Sequence, residues 1–138
     1  MVAEKKRPEY QGGFEPIPDV VIFRPEIDGD WRHRNYENTL RQMLVAVEVR
    51  ASERHLGRLT AHEVVNDIKK LDALRTEATN KRGSDVVPAV VVVDTAPEAR
   101  ERMTPEARGE VEAAAREHMV CFFYLSPSEE LMTLPDAL

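Results

Sequence analysis

The chain has a single cysteine, Cys121, among 138 residues, so no disulfide can form within it and one ordinary hydrophobic core must hold the fold. That cysteine lies inside the apolar run Met119-Val120-Cys121-Phe122-Phe123-Tyr124-Leu125. A buried structural thiol is expected there, because no neighbour in sequence would activate a nucleophile. No uncharged apolar stretch is long enough to cross a bilayer and none of the chain reads as a signal peptide, so a soluble, cytoplasmic domain without a membrane partner is expected. The four histidines, His33, His55, His62 and His118, show neither an H-x-x-x-H spacing nor a cysteine partner, which argues against a zinc site. Also missing are a Walker loop, a G-x-G-x-x-G fingerprint and a G-x-S-x-G elbow. With them go nucleoside-triphosphate, dinucleotide and α/β-hydrolase chemistry. There are no internal repeats and no low-complexity tract.

Positive charge is also in short supply, with 19 Lys and Arg against 25 Asp and Glu. The sum argues mildly against a polyanion partner, but its distribution matters more. Residues 50–82 hold eight basic residues (Arg50, Arg54, Arg58, Lys69, Lys70, Arg75, Lys81 and Arg82) against five acids. Residues 1–49 and 83–138 are both net acidic. A nucleic acid would contact the basic middle third, and a solvated helix face is the alternative use of the same charges.

What is present alternates strands with helices. Residues 1–17, with Gly12-Gly13 and mixed charge, read as an N-terminal arm. A first strand follows over about Asp19 to Phe23, stopped by Arg24-Pro25. The polar stretch from Glu26 to Gln42 is long for a hairpin, and fits either a short strand near Trp31 to Tyr36 or a functional loop bearing Arg32, His33, Arg34 and Tyr36. Met43 to Arg50 is the second strand, with Leu44, Ala46, Glu48 and Arg50 on one face and Met43, Val45, Val47 and Val49 on the other. Thr60-Ala61-His62-Glu63 has capping-box spacing, and Val64, Ile68, Leu71, Arg75 and Ala78 follow at helical intervals. That predicts a helix from Ala61 to about Ala78. Val86 to Val93 reads as a central strand ending at Asp94, Thr104-Pro105-Glu106 starts a second helix running to His118, and Met119 to Leu125 is a closing strand. A tail over 127–138, with one short helix, completes the chain. The expected fold is therefore an α/β domain over 18–126 in ββαβαβ order, whose mixed sheet has its last three strands parallel and its first pair antiparallel.

Two carboxylates stand out because they sit on adjacent strands. Pro18-Asp19 opens the first, and Glu48-Val49-Arg50 closes the second, where a charge at an inward-facing position needs a partner or a metal. Asp19 could instead satisfy backbone amides at a strand entry. Asp94, at the end of the central strand, could reach the same region or be a solvated strand-end acid.

Pro18-Asp19, Glu48-Val49-Arg50 and Asp67-Ile68-Lys69-Lys70-Leu71 on the following helix resemble the motif of the PD-(D/E)xK nuclease-like superfamily, which includes restriction endonucleases and Holliday-junction resolvases. The likeness spans roughly residues 18–95. It implies a restriction endonuclease-like mixed sheet flanked by helices, and a nuclease that hydrolyses phosphodiester bonds of DNA or RNA. It further implies Mg²⁺ (or Mn²⁺) held by Asp19, Glu48 and the carbonyl of Val49. Two departures accompany it. Arg50 stands where the superfamily has lysine; arginine holds phosphate oxygens but cannot act as a base near neutral pH. Lys70, with Lys69 as competitor, is then the candidate for the missing lysine, giving a catalytic set of Asp19, Glu48, Arg50 and Lys70. The front helix that usually precedes the first strand is short or missing. Arg54, Arg58 and Lys69 are the candidate nucleic-acid contacts, and a homodimer is expected by analogy. Two other readings stay open: a nuclease-like domain that binds nucleic acid or a protein without cutting, and an unrelated α/β interaction domain in which Glu48 pairs with Arg50 or a neighbour.

Overall fold

The computed structural model describes residues 18–24, 43–52, 58–82 and 85–135. Its elements are β1 (Val20–Phe23), β2 (Met43–Ala51), α1 (Ala61–Arg82), β3 (Val87–Val93), a 3₁₀ turn (Ala99–Glu101), α2 (Pro105–His118), β4 (Cys121–Leu125) and β5 (Glu130–Thr133). The five strands form one sheet in sequence order. β1 and β2 are antiparallel, β2, β3 and β4 are parallel, and β5 returns antiparallel to β4. The α/β class and the mixed sheet are as expected.

Local chemistry explains where the elements begin and end. The main-chain N–H of Thr60 donates to Glu63 Oε2 at 2.9 Å and the N–H of Glu63 donates to Thr60 Oγ1 at 3.4 Å, the reciprocal bonds of a capping box. α1 runs four residues beyond the expected end at Ala78, because nothing from Thr79 to Arg82 breaks a helix. The 127–138 tail holds a strand rather than the expected short helix. Ser126 closes a turn, its N–H donating to the carbonyl of Glu129 and its hydroxyl accepting from the N–H groups of Ser128 and Glu129, which lays β5 beside β4. Thr133 is then buried between exposed neighbours, a period of two that the helix-forming residues Glu130, Leu131 and Met132 conceal in sequence.

Pro88 stands inside a central strand, where a missing N–H is normally disruptive. Asp94 N–H donates to the carbonyl of Leu125, so even-numbered residues of β3 direct their N–H groups toward β4. β4 pairing begins only at Ala89 opposite Cys121. Pro88 therefore occupies the one position on that edge with no ladder bond to lose.

α1 packs on β2 and β3, α2 on β4 and β5, and the helices on each other, so both lie on one sheet face. Between them and the sheet lies a core built from Ala46, Val90, Val92, Phe122 and Tyr124 of the strands with Val64, Ile68, Leu71 and Leu74 of α1 and Val111 and Ala115 of α2. Each buried aliphatic side chain contributes about 1.5–3 kcal/mol. Met43 joins this core although it was expected on the far face with Val45. The register slips between Ile22 and Phe23, so Leu44 is an extra, bulged residue that puts Met43 back on the helix side. On the far face Val20, Ile22, Val49, Leu125 and Met132 are exposed. Cys121 is buried as a free thiol, its pKa raised by that burial. Among the described residues no helix is long and apolar enough to cross a membrane.

Met119, expected in the last strand, instead caps α2 in the left-handed conformation, φ 56°. A side chain there costs about 1 kcal/mol relative to glycine, and the Met119 side chain is largely exposed. Met119→Gly is expected to stabilise the protein by about 0.5–1 kcal/mol in urea unfolding; a lower unfolding midpoint would show that the side chain matters more than the backbone strain.

Candidate functional site

β1 and β2 set the centre of the site by register. Val20 faces Val47, so one more residue along the antiparallel ladder puts Asp19 opposite Glu48 at a close, non-hydrogen-bonded pair. The parity of Val21 and Ala46, which both turn to the core, carries Asp19 and Glu48 to the α1 face. Asp19 Oδ2 accepts the main-chain N–H of Val49 at 2.8 Å, the backbone role its strand-entry position allowed. Across the two strands it also acts on the Glu48 carboxyl group.

A proton kept on Glu48 spares the site the repulsion of two neighbouring carboxylate charges. Burial first, then the bond to and charge of Asp19, then the charge of Asp67 push Glu48 from an ordinary value of 4.5 to about 8, with Lys70 pulling the other way. A glutamic acid protonated near neutral pH on a largely apolar strand is an arrangement that core packing alone does not explain.

Arg50 lies two residues on, on the same face. It does not pair with Glu48. Its Nε donates to Asp67 Oδ2 at 3.0 Å and its Nη2 to Asp67 Oδ1 at 2.9 Å, a two-bond clasp between β2 and α1. Asp67 is 3% exposed, on the buried stripe of α1 between Val64 and Ile68 on one side and Leu71 on the other. Burial raises its pKa, and the Arg50 bonds partly offset that. Lys70, one turn further, is exposed, and its charge favours ionisation of both Glu48 and Asp67. Lys69 is exposed and is not among the groups acting on either acid.

The remaining candidates lie elsewhere. Arg58 is exposed and donates to the carbonyl of Arg100, bracing the loop after β3. Arg54, His55 and the stretch with Arg32, His33, Arg34 and Tyr36 fall outside the described residues. Asp94 is fully buried instead of reaching the carboxylate pair. Its Oδ2 accepts the N–H of Met103 and the hydroxyl of Tyr124, each at 2.7 Å. Arg108 stacks on the Tyr124 ring, 5.0 Å from its centroid. His118 Nδ1 lies 2.7 Å from Asp72 Oδ2, and Arg75 bonds Asp72 and the carbonyls of His118 and Met119, tying α1 to the end of α2.

Among the described residues no group of three or more His, Cys, Asp or Glu side chains gathers to hold an ion. Compared with protein-family models, curated proteins and solved structures, the chain matches none. The chemistry of the site is therefore read from its own donors. Two hard carboxylate groups suit Mg²⁺, which takes one or two carboxylates and keeps several waters, better than a cation that needs a full protein cage. The Val49 carbonyl leaves β2 on the same edge as its N–H, toward Asp19. Asp67 as the partner of Arg50 was not read from the sequence, although its place on the Val64, Ile68, Leu71 stripe signals a buried acid that needs a cation.

Proposed function

We propose that this chain is a Mg²⁺-dependent nuclease of the PD-(D/E)xK type, hydrolysing phosphodiester bonds of DNA or RNA. The observation that carries the reading is the register that sets Asp19 opposite Glu48 across β1 and β2 on the α1 face, with Arg50 two residues on and the charge of Lys70 acting on Glu48. The layout supports it: an antiparallel pair bearing the two acids, then a helix bearing the lysine, then a parallel strand, as in a restriction endonuclease-like sheet. Asp19 and Glu48 would hold Mg²⁺, or Mn²⁺, once Glu48 has lost its proton, with the Val49 carbonyl as a third oxygen. When bound, the ion supplies Lewis acidity and lowers the pKa of water. Arg50 and Lys70 neutralise the charge that develops on the phosphate. Arg50 stays protonated throughout, so it binds and orients; Lys70 is the only one of the two able to exchange a proton. Lys69, exposed on α1 next to Lys70, extends the basic surface for the nucleic acid, and a homodimer would present two such sites.

Labelled single- and double-stranded DNA and RNA should be cut in Mg²⁺ or Mn²⁺ and spared in EDTA, and Asp19→Ala should lower the cutting rate by about 100-fold or more. Lys70→Ala should slow it by about tenfold or more. Metal-dependent binding of any of these nucleic acids without cutting would favour the second reading, a nuclease-like domain that only binds, for which Arg50 at the lysine position is the specific argument. Neither binding nor cutting would sink both.

A further inference from the structure

We propose that Asp67 is a positioning residue that turns Arg50 into a clamp for one phosphate of the nucleic acid. The inference rests on the nuclease reading above and adds how that site holds its substrate. Arginine carries five N–H donors in one plane. Two of them, on Nε and on one side of Nη2, are taken by the two oxygens of Asp67. That is the side edge of the guanidinium. Three donors are left, and they include the end-on pair from Nη1 and Nη2, whose spacing fits two oxygens of a phosphate. The Arg50 side chain is 37% exposed while that of Asp67 is 5% exposed, so the bonded edge of the plane is held at a buried acid while the arginine itself stays accessible to solvent.

Holding the fork matters because a free arginine loses rotamer freedom on gripping a ligand. Asp67 removes that loss in advance. It sits on the best-packed stretch of α1, between Val64, Ile68 and Leu71, all buried. Arg50 follows Glu48 by two residues in the same strand and so shares its face. The clamp therefore sits beside the carboxylate pair. A lysine at position 50 could not do this, since a single ammonium has no planar fork to divide between an acid and a phosphate. Lys70 is exposed on α1 and carries its charge on a flexible stem that can follow the reacting phosphate. The two cations thus divide the work: Arg50 fixes position, and Lys70 supplies mobile charge.

The alternative is an ion pair that only ties β2 to α1, and phosphate binding separates the two. Fluorescence anisotropy of a labelled DNA duplex and a labelled single strand is measured in EDTA over a range of KCl concentrations for wild type, R50A, D67N and the R50A/D67N double variant. Each single variant is expected to bind about tenfold more weakly, with a salt slope smaller by about one. The double variant is expected to bind no more weakly than R50A, because Asp67 acts through Arg50. In cleavage with Mn²⁺, D67N is expected to raise KM more than it lowers kcat. Wild-type affinity in D67N overturns the proposal, and so do losses that multiply in the double variant. Should D67N not fold, D67E keeps the charge but displaces the fork by one methylene, and is expected to bind threefold to tenfold more weakly; full affinity in D67E overturns the proposal. Mn²⁺ binding followed by calorimetry is expected to be retained in D67N. If wild type binds neither nucleic acid nor Mn²⁺, the nuclease reading and this inference fall together. If wild type binds both and D67N binds as well, the inference alone falls.

Discussion

Glu48→Gln is expected to remove metal-dependent cleavage, by about 10³-fold, while making the metal-free protein more stable at alkaline pH. The two effects have one cause. In the unfolded chain Glu48 releases its proton near 4.5, whereas in the folded protein burial and the neighbouring Asp19 hold it until about 8. Between those values the folded state carries one proton more than the unfolded state. Stability therefore falls as pH rises across that window, by at most about 1.4 kcal/mol per unit. The fall is smaller in practice, because the side chain is partly open to water. The stabilising contribution is complete below 4.5 and lost once the pH has passed about 8. Glutamine keeps a hydrogen bond to Asp19 without carrying charge, so the decline should flatten. Scanning calorimetry in EDTA from acid to alkaline pH reads this directly, and parallel curves for wild type and Glu48→Gln would rule out a proton retained on Glu48. Added Mg²⁺ should raise the melting temperature of wild type most at high pH, where the proton has already gone, and should do little for the variant.

Asp94→Ala is expected to be the most destabilising of the single changes considered, and for a reason unrelated to the chemistry of the site. Asp94 is fully buried at the end of β3, and one of its oxygens accepts from both the Met103 N–H and the Tyr124 hydroxyl. Alanine leaves a buried N–H and a buried phenol without partners, at about 1–3 kcal/mol each, and adds a small cavity. The sum, about 3–5 kcal/mol, is a large share of the 5–15 kcal/mol typical of a domain. A fall in melting temperature on the order of 10–20 °C follows. Tyr124→Phe should cost less, about 1–2 kcal/mol, because only the phenol's bond is lost. Urea unfolding distinguishes the cases. A loss below about 1 kcal/mol in Asp94→Ala would mean that the loop between β3 and α2 is held by other contacts, such as those of Arg102 to the carbonyls of Ala96 and Pro97.

How much of this was legible in the sequence depended on the range of the interaction. The capping box at Thr60 and Glu63, the proline start of α2 and the β-branched run of β3 are local patterns, and each appears where it was read. Asp19 and Glu48 were legible as strand-end acids, and a hairpin register one residue beyond Val20 and Val47 is all that brings them together. Arg50 with Asp67 was not legible. Its partner lies 17 residues away on another element, and the choice among Glu48, Asp67 and solvent is made by how α1 packs on β2. Asp94 was misplaced for the same reason: Tyr124 is 30 residues downstream and competes for it from the neighbouring strand. β5 escaped notice because Glu130 to Met132 favour a helix by propensity, and only the Ser126 turn and the open edge of β4 make them a strand.

Because the sheet is laid down in sequence order, the groups at its centre also have an order in time. Asp19, Glu48, Arg50, Asp67 and Lys70 all fall within residues 19–70 of the 138. During synthesis they leave the ribosome on a two-stranded ribbon and one helix, before β3 and β4 exist to flank β2. Such a ribbon is marginal in water on its own. A nascent chain that has reached Arg82 thus carries every group of the site, and acquires a rigid one only as the later strands arrive.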